Sequence, residues 1–204
     1  MSQWQFVFPG PLYCGVDSAL QIGAQMHPLG VRRSMIVTGH QIEKAGLLEP
    51  IRVALDRAGL SSVVYQEAQT NPTDEDVMAG AKVYVDAQCD SIIALGGGSR
   101  MDVAKAIRLM VSHRGELKDY YFDTGGADRI NAEMPPLVCI PTTAGSGSEV
   151  SRGAVISDMR EKRKRLLAGP GMQASMAFLD PALSVSLPPQ LTAETGMDAL
   201  SHAL

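Results

Sequence analysis

Asp198 and His202 stand four residues apart in the segment Thr195-Gly196-Met197-Asp198-Ala199-Leu200-Ser201-His202. On a helix that spacing puts both side chains on one face with β-carbons about 5–6 Å apart, so a carboxylate and an imidazole could grip one divalent ion. Catalytic metal sites usually draw on three or more protein ligands, so the pair is half a site; alone it reads first as a solvated or capping pair. A second chemistry is anion binding. Ser91-Ile92-Ile93-Ala94-Leu95 runs straight into Gly96-Gly97-Gly98-Ser99 and a helical stretch carrying Asp102, Ala104, Lys105 and Ile107. Glycines without β-carbons let backbone N–H groups approach phosphate oxygens, and the helix that follows presents its positive end. The spacing is neither G-x-G-x-x-G nor a Walker A loop. A tight turn without a ligand is the alternative, but a run of glycines costs backbone entropy that such a turn does not require. The other loop, Pro141-Thr142-Thr143-Ala144-Gly145-Ser146-Gly147-Ser148-Glu149-Val150-Ser151, could hydrogen-bond a ribose or nicotinamide and is equally readable as a Ser/Gly-rich surface turn.

Positioning these loops requires strands and helices in alternation. Ser34 to Thr38, Ser62 to Tyr65 and Ser91 to Leu95 are short β-branched runs, each followed by an amphipathic segment: Leu47 to Ala58, Thr73 to Ala87 and Met101 to Ser112. Continuous apolar strands joined by crossover helices predict a doubly wound, Rossmann-like α/β fold, a mostly parallel sheet with helices on both faces. Thr73 and Asp76 read as a capping box at a helix start. Beyond a polar loop around Asp123 to Asp128, strands are expected at Leu137 to Ile140, Ala154 to Ser157 and Ala177 to Leu179. Pro188-Pro189 followed by Thr192 to Thr195 opens a new helix, which predicts a nucleotide-binding domain over 1–187 and the start of an all-helical second domain over 188–204. In a parallel sheet the loops at the carboxyl ends of the strands meet the ligand.

At 204 residues and a formal charge of −4, the chain has room for one substantial domain and no basic excess to attract nucleic acid or an anionic membrane. Lys162-Arg163-Lys164-Arg165 reads first as a solvated turn and second as an anion site. Cys14, Cys89 and Cys139 lack metal-ligand spacing and suit a reducing compartment. With no signal-type start and no long apolar run, the expectation is a cytoplasmic protein with small-molecule partners.

Together, Gly96-Gly97-Gly98-Ser99-x-x-Asp102-x-x-Lys105, the 141–150 loop, Asp180-Pro181 and Gly196-Met197-Asp198-Ala199-Leu200-x-His202-Ala203 resemble the iron-containing (group III) alcohol dehydrogenases, and the resemblance spans essentially the whole chain. It implies a nucleotide-binding domain and a helical domain with NAD or NADP and a divalent metal between them. Fe²⁺ is the metal the family suggests, and Zn²⁺, Co²⁺ or Ni²⁺ would also suit an aspartate with three histidines. By the same resemblance, Gly97, Gly98 and Ser99 correspond to the pyrophosphate loop, Asp102 lies near the nicotinamide end, and Thr142 and Thr143 correspond to adenosine-side contacts. Asn71, Ser151 and Lys164 correspond to further cofactor-pocket positions, while Asp198 and His202 correspond to the first two of four metal ligands. Many members carry an aspartate after the threonine that ends the first long strand; here Thr38 is followed by Gly39 and His40, which implies acceptance of NADP beside NAD or ahead of it.

The implied activity is metal-assisted hydride transfer between nicotinamide and a small alcohol, aldehyde or ketone. No general acid or base is identifiable in the chain. Because His202 stands next to the last residues, the chain reads as a truncated N-terminal portion that would be inactive alone. The alternatives are a non-catalytic nucleotide-binding fragment, a glycerol or polyol dehydrogenase, and a cyclising synthase of the dehydroquinate type. Phe6 to Tyr13 resembles the family's N-terminal strand, which pairs across a dimer, so a homodimer is expected.

Overall fold

A computed structural model describes residues 10–130 and 133–204. Fourteen elements carry the site and are numbered in chain order. β1 (Leu12–Cys14), α1 (Ile22–Met26), β2 (Arg33–Val37), α2 (His40–Lys44), α3 (Leu48–Arg57) and β3 (Ser61–Tyr65) come first. They are followed by α4 (Asp74–Asp86), β4 (Ser91–Gly96), α5 (Gly98–Ser112) and β5 (Leu137–Pro141). The chain continues through β6 (Gly153–Asp158), β7 (Arg163–Ala168), β8 (Met176–Leu179) and α6 (Pro189–Ala203).

Six strands form one sheet in the order β1-β8-β5-β4-β2-β3, every pairing parallel. Alternate side chains explain why its middle strands read as unbroken apolar runs. Met35, Val37, Ile92, Ala94, Leu137 and Cys139 face a core shared with α4 and α5, through Val77, Ala81, Val103 and Ile107. Ile36, Ile93, Leu95, Val138 and Ile140 face the opposite core, shared with α1 and α3 through Ile22, Met26, Ile51 and Leu55. Burying a side chain such as Ile93, which is wholly inaccessible, contributes about 1.5–3 kcal/mol, so both faces of the sheet have to be covered.

The strand order reverses at β2, which has β3 on one side and β4 on the other, because the chain leaves β3 and crosses over β2 to form β4. That reversal opens a crevice at the carboxyl ends of β2 and β4, the place where doubly wound sheets take ligands. Thr38 and Gly39 follow β2 there, and Gly97 follows β4.

The capping box forms as expected: Thr73 Oγ1 accepts from the Asp76 amide at 3.1 Å, and Asp76 Oδ2 accepts from the Thr73 amide at 2.9 Å. Elsewhere the structure departs from expectation. The strand at 154–157 leaves the main sheet and pairs antiparallel with β7 as a separate hairpin. The basic cluster is therefore no solvated turn. Lys162 alone sits in the turn, with φ 53, and residues 163–165 begin β7. Strand alternation turns Arg165 inward to 4 % exposure, where Asp123 and Glu161 neutralise it and its guanidinium lies 4.8 Å over the Tyr121 ring. His40 opens α2, and His113 follows the last residue of α5, with Nδ1 3.0 Å from the Leu109 carbonyl. Of the N-terminal strand segment, residues 6–9 lie outside the described residues; Leu12–Cys14 pair with β8 of the same chain.

Candidate dinucleotide and metal cleft

The glycine loop enters α5 earlier than the sequence suggested, at Gly98, so Ser99 belongs to the first helical turn. Gly96 adopts φ +148, which a side chain would resist, and it turns the chain sharply from strand to helix. Gly97 and Gly98 are needed for space. A β-carbon on Gly97 would lie 3.0 Å from Thr143 Oγ1, and one on Gly98 would lie 2.9 Å from Ser146 Cβ and Oγ. No side chain caps α5; the Arg100 and Met101 amides donate to the Gly97 carbonyl, which leaves the Gly98 and Ser99 amides to meet an anion at the positive end of a fifteen-residue helix.

Behind this loop α5 braces its neighbour. Lys105 is only 1 % exposed, and its Nζ donates to Ser148 O (2.6 Å), Ser148 Oγ (3.0 Å), Ser151 Oγ (3.1 Å) and Gly153 O (2.8 Å). Asp102, one turn earlier, accepts from Ser148 Oγ at 2.8 Å and from the Val155 amide at 3.0 Å. Burial lowers the ammonium's pKa below the usual lysine range and raises the Asp102 carboxyl's above its own, against the pull of those hydrogen bonds. The pair thus fixes the 141–151 loop and the adjoining hairpin to one helix. Sequence reading placed Lys105 in the motif but gave it no role, because its partners lie 43 to 48 residues downstream.

The braced loop also reaches α6. Gly145, at φ +104, packs so closely that a β-carbon would lie 2.7 Å from both Asp198 Oδ2 and the Thr195 carbonyl. Its own carbonyl lies 3.0 Å from His202 Nδ1. A carbonyl only accepts, so Nδ1 carries the proton and, in the neutral ring, Nε2 offers its lone pair. Nε2 stands 3.9 Å from Asp198 Oδ1, less than two metal–ligand bonds of about 2.0–2.2 Å end to end, so one ion could touch both. Among the described residues no group of three or more His, Cys, Asp and Glu side chains is placed to hold a metal. The helix runs to Ala203, and this contact ties its last turn to the 141–151 loop.

The remaining expected positions fall in two places. Thr142 is buried at the end of β5, where its amide donates to Gly96 O at 3.0 Å, and Thr143 covers Gly97. Asn71, exposed, precedes Pro72, whose carbonyl accepts from the Ser157 amide at 2.8 Å; Ser157 pairs with Lys164, exposed on β7. Ser151 is half-buried on Lys105. Gly39 lies across the crevice from the glycine loop, against Arg100. A dinucleotide fits these features: an uncapped helix start, two glycines whose absent side chains leave the loops in contact, and hydroxyls along the adjoining loop.

The sheet order and the crevice define a doubly wound, Rossmann-like α/β fold, and comparison with known proteins narrows the class. Residues 9–181 match the family described as iron-containing alcohol dehydrogenase, and the chain belongs to that family. It is 39 % identical over 199 residues to choline dehydrogenase of Bacillus subtilis and 35 % identical over 199 residues to the NAD-dependent methanol dehydrogenase of Bacillus methanolicus. Both matches cover 98 % of this chain, against 49 % and 51 % of the relatives, so it spans about half the length of these curated proteins. Among solved structures, the sulfoacetaldehyde reductase of Bifidobacterium kashiwanohense in complex with NAD+ superimposes with a TM-score of 0.92 at 32 % identity, over all of this chain and 53 % of the reductase.

Proposed function

We propose that the chain forms the nucleotide-binding part of a metal-dependent, NAD(P)-linked alcohol dehydrogenase or aldehyde reductase, with Pro188 as the junction to a helical part that begins at α6. One observation carries this reading: a single loop, 141–151, touches the phosphate-type glycines through Thr143 and Ser146 and the Asp198–His202 pair through Gly145. Nucleotide and ion would therefore line one cleft. When bound, nicotinamide supplies hydride chemistry and a divalent ion, Fe²⁺ or Zn²⁺, polarises a small alcohol or carbonyl oxygen.

The chain's own residues do the positioning. Gly97, Gly98 and Ser99 would hold the pyrophosphate by their amides, and Thr142 and Thr143 would line the adenosine side. Asn71, Ser151 and Lys164 are assigned to the outer pocket, and Asp102 and Lys105 keep the second loop in register for both partners. Asp198 Oδ1 and His202 Nε2 would supply two donors to the ion, with the Gly145 carbonyl fixing the imidazole tautomer. Two donors hold an ion loosely, so turnover by this chain alone is expected far below the usual range of about 1–10³ s⁻¹. We place the protein in the cytosol, in keeping with its three free cysteines, and as a homodimer, with β1, an edge strand among the described residues, as the pairing surface.

Cobalt reports directly on the ion site. Co²⁺ added to the chain should give visible d–d absorption that His202→Ala and Asp198→Ala each abolish. Absorption unchanged in both variants would remove the metal from this cleft.

A further inference from the structure

The face of the sheet opposite α4 and α5 carries α1 and α3, which run the same way because each leads from one strand of a parallel sheet to the next. They touch at Gly23, where a β-carbon would lie 2.4 Å from the Ala54 carbonyl and 2.7 Å from Ala58 Cβ. Along that contact lies a groove of about 660 Å³, within the usual range of small-ligand sites of about 300–1,000 Å³. Most of its lining is aliphatic. Ala54 and Ala58 are half-buried in it, and Leu20, on the turn that leads into α1, stays 47 % exposed on its wall.

The two ends of the groove differ. Leu20, Pro50 and Val53 line the end where the helices begin, whereas His27 and Arg57 line the end where they finish. From Pro50 to Arg57 the helix rises about 10 Å, the length of an extended alkyl chain of about eight carbons. We infer that this groove binds a medium-chain carboxylate, its head held by Arg57 and a ring nitrogen of His27 and its tail laid along the alanines toward Leu20. A guanidinium takes a carboxylate with two parallel bonds, and a fully buried methylene adds about fourfold in affinity. The inference goes beyond the nucleotide reading and does not rest on it.

The surrounding charges favour an anion at that end. No carboxylate lines the groove, and neither His27 nor Arg57 has a side-chain hydrogen bond or an ion pair among the described residues. Of the acids on α3, Glu49 pairs with Arg52 at 3.3 Å and Asp56 is exposed outside the groove. The carbonyl end of a helix dipole repels an anion, but here the Leu55 and Asp56 carbonyls are spent on the amides of Leu60 and Gly59. Arginine stays cationic throughout the working pH range, so the attraction persists across it.

Calorimetric titration of the 204-residue chain with sodium octanoate, joined to amide hydrogen exchange with and without it, tests this. Octanoate should protect the peptides spanning 20–29 and 50–58. It should bind at least about threefold more tightly than hexanoate, two methylenes shorter, and at least about tenfold more tightly than octyltrimethylammonium, whose head has the opposite charge. Arg57→Ala should weaken octanoate at least about fivefold, and Val53→Asp, which sets a carboxylate on the aliphatic stretch, should abolish binding. Unliganded thermal midpoints within about 2 °C of the parent show that the variants have folded, and the ligand series on the parent decides the matter without them. No binding of octanoate, protection elsewhere, equal binding of octyltrimethylammonium, or unchanged affinity in Arg57→Ala overturns the inference. So does a changed sedimentation coefficient in Val53→Asp, which would make the groove a contact between copies of this chain.

Discussion

Replacing Lys105 by Met keeps the length of the side chain and removes the charge on which the second loop hangs. Four acceptors lose a donor, two of them the Ser148 and Gly153 carbonyls at 2.6 and 2.8 Å, and the Asp102 carboxylate loses its neighbouring cation. Breaking a buried pair from one side costs about 3–5 kcal/mol. Part of that returns, because Lys105 sits at 1 % exposure and removing a desolvated ammonium relieves its burial cost. A net loss of about 2–4 kcal/mol follows, and at about 2–4 °C per kcal/mol for a chain of this size the thermal midpoint should fall by about 4–16 °C. The damage should be local as well as global. Hydrogen exchange across 145–153 should quicken by more than in β2 or β4, and dinucleotide affinity should drop although Lys105 touches no part of the glycine loop. A Lys105→Met chain within about 0.5 kcal/mol of the parent, with unchanged exchange in that loop, would refute the bracing role.

Two further outcomes are expected. Cys139 is wholly inaccessible and burial pushes its thiol from 9.0 up to about 12, so the folded state keeps a proton that the unfolded state releases. Its contribution to stability is complete below pH 9 and is lost as pH rises toward 12; urea midpoints over that window should fall less steeply in Cys139→Ala, and an equal slope would dismiss the group. Thr73→Ala removes the cap of α4 and should cost about 1 kcal/mol, read as a lower urea midpoint at constant slope, and no shift would mean the capping box adds nothing.

How far the sequence could be read depended on whether neighbours or distant partners decided each element. β2, β4 and β5 were legible because two covered faces demand continuous apolar runs, and α4 because Thr73 and Asp76 cap each other within one turn. The start of α5 was set too late, since glycines argue against helix and only the strand behind them forces the turn at Gly96. β7 was hidden by its charges. Arg163-Lys164-Arg165 does not read as a strand until Asp123 and Tyr121, from elsewhere in the fold, join Glu161 around Arg165. The candidate site divides in the same way. The glycines, Asp198 and His202 announced themselves by type and spacing, but the contact of Gly145 with His202 spans 57 residues and that of Gly39 with Arg100 crosses the crevice. No local pattern encodes either.

Whether a dinucleotide lies on the amino end of α5 is most directly measured by amide hydrogen exchange of the chain with and without saturating NADP⁺, in the parent and in Gly98→Val. The parent should show protection concentrated in the peptides spanning Gly97 to Ser99 and Thr142 to Ser146, and Gly98→Val, whose side chain would press on Ser146 and fill the phosphate path, should show none. Protection elsewhere with these two loops unchanged, or equal protection in Gly98→Val, would contradict the proposed site.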